Sequence, residues 1–139
     1  MSYAAAAALQ TAVYQRLIAD DGLGAIVGDA IFDAMPVDAP RGTYVSLGPE
    51  EAVDAGDMTA RGSRHDFVIS VLSGTDETSG FRSVKEASVA VANALENGGL
   101  SLSVGHLAGL WFLRAKARRA ENGAARRVDL TFRARIDLG

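Results

Sequence analysis

The sequence predicts an α+β fold, in which an antiparallel or mixed β-sheet of four to five strands carries two helices packed mainly on one face. Two periodicities favour this fold. In two segments apolar residues recur every three to four positions, as on one face of a helix, whereas near the C-terminus they alternate with polar residues, as in a half-buried strand. The predicted order is helix, short strands, strand, helix and three strands, which is typical of an α+β domain.

The first predicted helix covers residues 2–19. Leu9, Val13 and Leu17 recur every four residues and form an apolar stripe along it. The polar residues 20–22 are predicted to end this helix, since two aspartates and a glycine are common at turns.

A stretch without clear periodicity lies between the first short strands and the next long one. The short strands are predicted at residues 31–33 and 43–47, the second closed by Gly48 and Pro49. Residues 49–64 then show neither period, which indicates a long loop or an irregular hairpin. Such loops are uncommon in compact domains unless they contact something, so this one is a candidate for engaging a neighbouring chain, with a mobile surface loop as the alternative. Its candidate interface residues are Glu50, Glu51, Asp54 and Asp57.

The second predicted helix covers residues 81–97 and follows a turn-rich connection at residues 74–80. Ser83 and Glu86 have the spacing of a capping box, and residues 97–99 supply a stop. Its predicted buried face consists of Val84, Ser88, Val91 and Leu95.

The remaining strands are predicted at residues 65–72, 100–104, 108–118 and 127–138. The first of them is apolar on both faces in its second half and is therefore expected at the centre of the sheet. Residues 121–123 include Asn-Gly, a strong signal for a hairpin turn between the last two strands. The inward positions of the last strand are Val128, Leu130, Phe132, Ala134 and Ile136.

Composition points to one globular domain, residues 1–139. Hydrophobic residues make up 48% and charged residues 22%, as is usual for a folded domain. The chain has no cysteine, which excludes disulfides, thiolate metal sites and a cysteine nucleophile. No basic segment precedes the Ala-rich start as in a signal peptide, and no apolar stretch approaches the roughly 20 residues that cross a bilayer. The expected product is soluble and cytoplasmic, without membrane contact.

The net charge of −3 conceals an asymmetry between the two parts of the chain. Residues 1–80 carry 4 basic and 12 acidic side chains, a net of −8, whereas residues 81–139 carry 10 basic and 5 acidic side chains, a net of +5. Opposite charges of this kind suit head-to-tail association between identical subunits. The alternative is that they simply solvate two faces.

No catalytic or cofactor motif is found. Residues 22–24 lack the third glycine of a dinucleotide fingerprint, and His65 and His106 are too few for a histidine metal site. The carboxylates of residues 49–64 have no apolar lining that would raise their pKa toward that of a general acid. We therefore expect no enzyme, no cofactor and no metal. The serines that lack a nucleophile elbow are Ser46, Ser70 and Ser73.

Basic residues alternate along the last two strands, three on one face of each. If the hairpin register brings these faces together, the six cations form one patch, which suits either phosphate contact or ion pairs that face a subunit or the solvent. Trp111 and Phe112 are expected on opposite faces, one in the core and the other as an interface anchor. The candidate interface or channel-lining cations are Arg114, Lys116, Arg118, Arg127, Arg133 and Arg135.

Several segments in this order resemble one family along nearly the whole chain. They are residues 8–17 (ALQTAVYQRL), 23–33 (LGAIVGDAIFD) leading to Pro36, 43–48 (TYVSLG), 65–71 (HDFVISV), 84–95 and 127–134 (RVDLTFRA). Together they are similar to the phage tail-completion (tail-terminator) family, which is met as a domain of unknown function in prophages and gene transfer agents.

This resemblance implies a structural virion protein without catalytic residues. Subunits of this kind form a ring, expected to be hexameric, that caps the tail tube and joins it to the neck (stopper) protein at the head, and genome DNA passes through the ring without sequence-specific binding. The expected location is a phage or phage-like particle, assembled in the host cytoplasm.

Three alternatives stay open from the sequence. A head-tail stopper or adaptor neck protein belongs to the same class. A small ligand-binding α+β domain or enzyme would carry a pocket with a titrating carboxylate. A DNA-binding module would show steeply salt-dependent affinity for duplex DNA.

Overall fold

The computed structural model describes residues 3–75, 80–97, 99–120 and 125–139 and confirms the α+β class. Its elements in chain order are α1 (Ala6–Ile18), α2 (Asp21–Val27), β1 (Ile31–Phe32), β2 (Tyr44–Asp54), β3 (Gly62–Leu72), α3 (Gly80–Asn97), β4 (His106–Ala120) and β5 (Ala125–Asp137). No helix in the described part of the chain is long and apolar enough to span a membrane.

The five strands form one mixed sheet in the order β1-β2-β3-β5-β4. β1 pairs with β2 in parallel, and all other neighbours are antiparallel. The predicted central position of the 65–72 strand is confirmed, since β3 lies between β2 and β5. Alternate residues of β3 and β5 pack with the apolar sides of the helices in one core, so the helices cover one face of the sheet, which we call the inner face. The other is the outer face.

The helices differ from the prediction in number. In α1 the predicted stripe of Leu9, Val13 and Leu17 is buried as expected. Asp20, however, does not end the helical region. Its side chain accepts a hydrogen bond from the Leu23 N–H at 2.8 Å and caps a second helix, α2, so the described fold has three helices rather than two.

The second predicted helix is confirmed as α3, and all four residues of its predicted inner face are buried. The predicted capping box is wrong, because α3 begins at Gly80 and Ser83 already lies inside its first turn. The Ser83 hydroxyl instead lies 2.8 Å from that of Thr43, and Glu86 pairs with Arg82 at 3.1 Å. Residues 76–79 of the preceding turn, and Gly98 in the predicted stop, lie outside the described residues.

Most of the predicted loop at residues 49–64 is strand. β2 continues through Gly48 and Pro49 to Asp54, with a shift in its register on β3 between Leu47 and Glu50. The region is therefore an irregular hairpin with a short turn, which was one of the two forms expected for it.

The predicted strand at residues 100–104 is wrong. This segment makes no strand pairing, and the sheet resumes only at His106. Leu100 and Leu102 are partly buried against the core, so their alternation reflects the anchoring of a connection. β4 and β5 confirm the last two predicted strands, whereas the predicted Asn-Gly turn between them lies in residues 121–124, outside the described residues.

Candidate assembly surfaces

The outer face of the sheet carries the six candidate cations together. Arg114 lies opposite Thr131, Lys116 opposite Asp129 and Arg118 opposite Arg127 in the β4–β5 register, so the basic sides of both strands share this face. Alternation along β5 adds Arg133 and Arg135 to it. The hairpin register therefore brings the basic faces of the two strands together, as a single basic patch requires.

Two aspartates on the same face bind several of these arginines. Asp66 on β3 accepts two hydrogen bonds from Arg133, at 2.8 and 3.0 Å, and these hold the pKa of Asp66 below its usual range. Asp129 accepts a hydrogen bond from Arg127 at 2.8 Å and lies 3.5 Å from Arg118. Burial raises the pKa of the Asp129 carboxyl, but the hydrogen bonds from Arg127 and Ser70 outweigh burial and lower it.

The remaining cations are more available to a partner. Arg135 donates to the Ala55 carbonyl at 2.6 Å. Arg114 and Lys116 are exposed and form no ion pair within the described part of the chain, although Arg114 lies close enough to Asp66 to help lower the pKa of that carboxyl. The positive charge of the patch that has no carboxylate partner among the described residues therefore lies on the edge strand β4 and on Arg135 of β5 beside it.

The four candidate acidic residues are separated by the structure. Glu50 lies opposite Phe67 on the inner face, whereas Glu51 lies opposite Asp66 on the outer face. Asp57 sits in the turn, where its carboxylate accepts hydrogen bonds from Thr59 and from the Ala60 N–H. These bonds, the Thr59 N–H first, lower the pKa of Asp57.

A histidine cluster that the sequence does not reveal surrounds Glu50. His65 is fully buried, with its Nε2 2.9 Å from the Ser63 hydroxyl and its Nδ1 3.6 Å from a Glu50 carboxylate oxygen. Tyr3 stacks on the imidazole and donates a hydrogen bond to Glu50 at 2.9 Å, which raises the pKa of Tyr3.

The order serine, histidine, glutamate is that of a hydrolase triad, but this one lacks access to substrate. Ser63 and His65 both have no exposed surface, so no substrate carbonyl can reach the hydroxyl. The Nδ1 atom of His65 has no hydrogen-bond partner among the described residues. This cluster therefore fixes the β2–β3 hairpin and the start of the chain to each other. Within the described residues no group of three or more metal-ligating side chains is found either.

Trp111 and Phe112 point to opposite faces of β4, as predicted. Phe112 lies opposite Phe132 and contacts its ring edge-on at 5.7 Å, while Trp111 lies opposite Arg133 on the outer face. The prediction that one of them lies in the core is wrong, because Trp111 is 50% and Phe112 39% exposed. Next to them Leu113 is 37% exposed, so three consecutive large apolar side chains lie at the surface.

Comparison with known proteins identifies the family. The family model described as "Tail completion protein gp17" matches residues 11–137, nearly the whole chain. This chain belongs to the tail completion protein gp17 family. No curated protein matches the sequence.

A solved structure supports the same family assignment for this tail completion protein. The chain is similar to one in the structure titled "Virion of native gene transfer agent (GTA) particle", with 56% identity and a TM-score of 0.88. The similarity covers 98% of this chain and 99% of the other. The resemblance inferred from the sequence is thereby confirmed, and the tail completion protein has a structural role of the phage-tail type.

For a tail completion protein the functional residues are those of surfaces, and the sequence reveals only some of them. The exposure of the inner face of β4 is not predicted from the sequence. The available signal is composition, because Ala115 and Ala117 occupy inward positions on β4 where β5 has Val128 and Leu130. Charged side chains such as those on the outer face of β4 are typical of a strand at the edge of a sheet.

Proposed function

We propose that this tail completion protein is a tail terminator. Its copies form a ring, expected to be hexameric, that caps the tail tube and joins it to the neck of a tailed phage or phage-like gene transfer particle. The observation that supports this most is the 56% identity, along nearly the full length of both chains, to a chain in a native gene transfer agent virion. Similarity of this extent means that the two chains share one fold along almost their whole length.

A ring of identical subunits needs two different, complementary patches on each subunit. This chain has a net charge of −8 in residues 1–80 and +5 in residues 81–139, and Arg114 and Lys116, which form no ion pair among the described residues, lie on the edge strand β4. These features support head-to-tail contact. A non-enzymatic role is part of the proposal, because the one arrangement that resembles a catalytic triad, at Ser63 and His65, is sealed from solvent.

The proposed partners are the tail tube protein on one side of the ring and the neck (stopper) protein on the other. Genome DNA passes through the ring, and no base-specific contact is proposed for it. The aspartates that bind Arg127 and Arg133 on the outer face reduce the net charge there, which suits passage of DNA better than tight binding.

Removal of the gene from a particle-producing cell tests the terminator role. We expect tubes of uncontrolled length and filled heads without tails, seen by electron microscopy, and rescue by the wild-type gene supplied separately. Antibody labelling of rescued particles should mark the head-proximal end of the tail. Tubes of normal length beside heads that have lost their DNA would instead indicate a stopper or adaptor, and unchanged particles would contradict any neck function.

A further inference from the structure

The edge strand β4 is unusually open for its length. It spans fifteen residues, His106–Ala120, and each of its residues 106–119 is at least partly exposed. Long edge strands present unpaired backbone groups and are usually covered or kept short. Here the exposed edge also carries Trp111, Phe112 and Leu113, so it combines free backbone groups with apolar side chains.

An apolar groove continues this surface on the inner face. It lies between α3, where Val89 is 60% exposed, and β4, where Phe112 and Ala115 contribute their side chains. Its floor includes Val128 and Leu130 of β5. The groove is open because α3 packs mainly over β5, and the alanines of β4 are too small to close the remaining gap.

Charge distinguishes this edge from the opposite edge of the sheet. β4 has four cations and no carboxylate: Arg114, Lys116, Arg118 and Arg119. Residues 29–38, which flank β1, contain three aspartates and no basic residue. Asp29, Asp33 and Asp38 are all exposed, and so are the apolar side chains of Met35 and Val37 beside them.

We propose that the β4 edge, with its groove, docks against the β1 edge of a second copy of this chain. The inference rests on the proposed ring and assigns its subunit contact. A second copy is favoured over another protein because the chain itself carries the matching surface: acidic and apolar residues around β1 face basic and apolar residues on β4. The two surfaces lie at opposite edges of one sheet, so each contact leaves a free edge for the next copy, as a head-to-tail ring requires.

Thiol cross-linking in assembled particles tests this contact, because the natural chain has no cysteine to interfere. One cysteine is introduced on each edge, as Leu113→Cys in β4 and Val37→Cys beside β1, and particles are treated with a short bismaleimide. Met58→Cys, at a fully exposed position in the β2–β3 turn, replaces Val37→Cys in the matched control.

We expect the double variant to give a ladder of cross-linked multimers, and particles with a mixture of the two single variants to give dimers only. Each single variant alone should remain uncross-linked, because a heterologous contact does not bring identical positions together. Dimers from a single variant would indicate a two-fold contact and overturn the proposal. A cross-link from Leu113→Cys to a tube or neck protein, or to Met58→Cys instead of Val37→Cys, would also overturn it.

These outcomes are separable from failure of the proposed function. If the chain is incorporated at the head-proximal tail end and a ring is seen there, but the edges do not cross-link, the terminator role stands and the assigned contact is wrong. If the chain is absent from particles, the proposed function itself fails. Electron microscopy of the same variant particles confirms that the cysteines leave assembly intact before cross-linking is read.

Discussion

Asp129 is the residue on which the charge arrangement of the outer face most depends. It accepts hydrogen bonds from Arg127 and Ser70, at 2.8 and 2.7 Å, and its pKa lies below the usual range. Since its pKa is lower in the folded than in the unfolded chain, the stabilisation is complete above the unfolded value of about 3.9 and is lost as pH falls through the folded value.

We therefore expect Asp129→Asn to lower the free energy of unfolding by about 1–2 kcal/mol at neutral pH, because hydrogen bonds to a charged group are lost. The difference from wild type should shrink as the pH falls below about 4, where the wild-type carboxylate also becomes protonated. Urea unfolding at a series of pH values measures both effects. Asp38→Asn, at an exposed position, is the control, and a constant difference at all pH values would contradict the assignment.

Phe132 is the central residue of the core. It is fully buried, stacks on Phe67 with 5.7 Å between ring centroids, and contacts Phe112 edge-on at the same separation. We expect Phe132→Ala to cost about 3–5 kcal/mol of unfolding free energy, as for other fully buried phenylalanines.

Phe112→Ala is the matched comparison, because the same side chain is removed from a 39% exposed position in contact with Phe132. It should cost about 1–2 kcal/mol, since less apolar surface returns to water. Denaturant unfolding of the two purified variants gives the comparison. Equal losses of unfolding free energy would mean that the β4 edge is as well packed as the core, which would contradict the open groove.

At the scale of elements, the connection from β1 to β2 is held against the end of β3 by a close backbone approach. Gly74 has a φ of +76°, and a side chain there would collide with the carbonyl oxygens of Pro40, Arg41 and Gly42. The Thr75 N–H donates to the Pro40 carbonyl at 3.0 Å and fixes the same contact. Glycine is required here both for its conformation and for the space.

Gly74→Ala should therefore destabilise the protein by more than about 3 kcal/mol, because strain and a steric clash add. Gly42→Ala is the control from the other side of the contact, since its Cβ would meet nothing within 4 Å; it should change stability by less than about 0.5 kcal/mol. Soluble yield and the denaturant midpoint give the comparison. Similar values for the two variants would contradict this account.

The elements whose buried face was predicted from the sequence are those with one buried and one solvated face, namely α1, α3 and β5. α2 could not be predicted, since Asp20 and Gly22 are as typical of a helix end as of a helix start. The prediction that Gly48 and Pro49 end a strand is wrong for a different reason. β1 pairs with β2 only as far as Ser46, so at Pro49 the strand is free on that side and the missing N–H breaks no hydrogen bond to β1.

The residues of the candidate surfaces, like the elements of the fold, could be predicted from the sequence only in part. The shared face of the cations follows from alternation on two paired strands, whatever turn joins them. The separation of Glu50 from Glu51 was not predictable, because it depends on the register shift after Leu47, which turns Glu50 inward toward His65. Alternation of apolar and polar residues does not by itself locate a β-bulge. Here the bulge follows Leu47, where Gly48 and Pro49 are equally typical of a turn that ends the strand.

At the scale of the whole molecule, the fold places acidic residues around β1 at one edge of a five-stranded sheet and basic residues of β4 at the other. In the chain sequence these charges merely differ between two parts, whereas in the sheet they lie on opposite edges. Because the two edges carry opposite charges, the basic edge of one subunit can contact the acidic edge of the next around the proposed ring.

Salt should weaken this association, since the Debye length falls from about 10 Å at 0.1 M to about 3 Å at 1 M salt. We expect the chain to dissociate from purified particles as salt is raised, with the midpoint followed by sedimentation. The double substitution Arg114→Gln with Lys116→Gln removes two free cations of β4 and should shift dissociation to lower salt, with a shallower dependence. Arg82→Gln, on α3, removes a cation whose pairing with Glu86 is local and should leave the midpoint unchanged. If the β4 double variant dissociates at the same salt concentration as wild type, the contact between subunits does not depend on these charges.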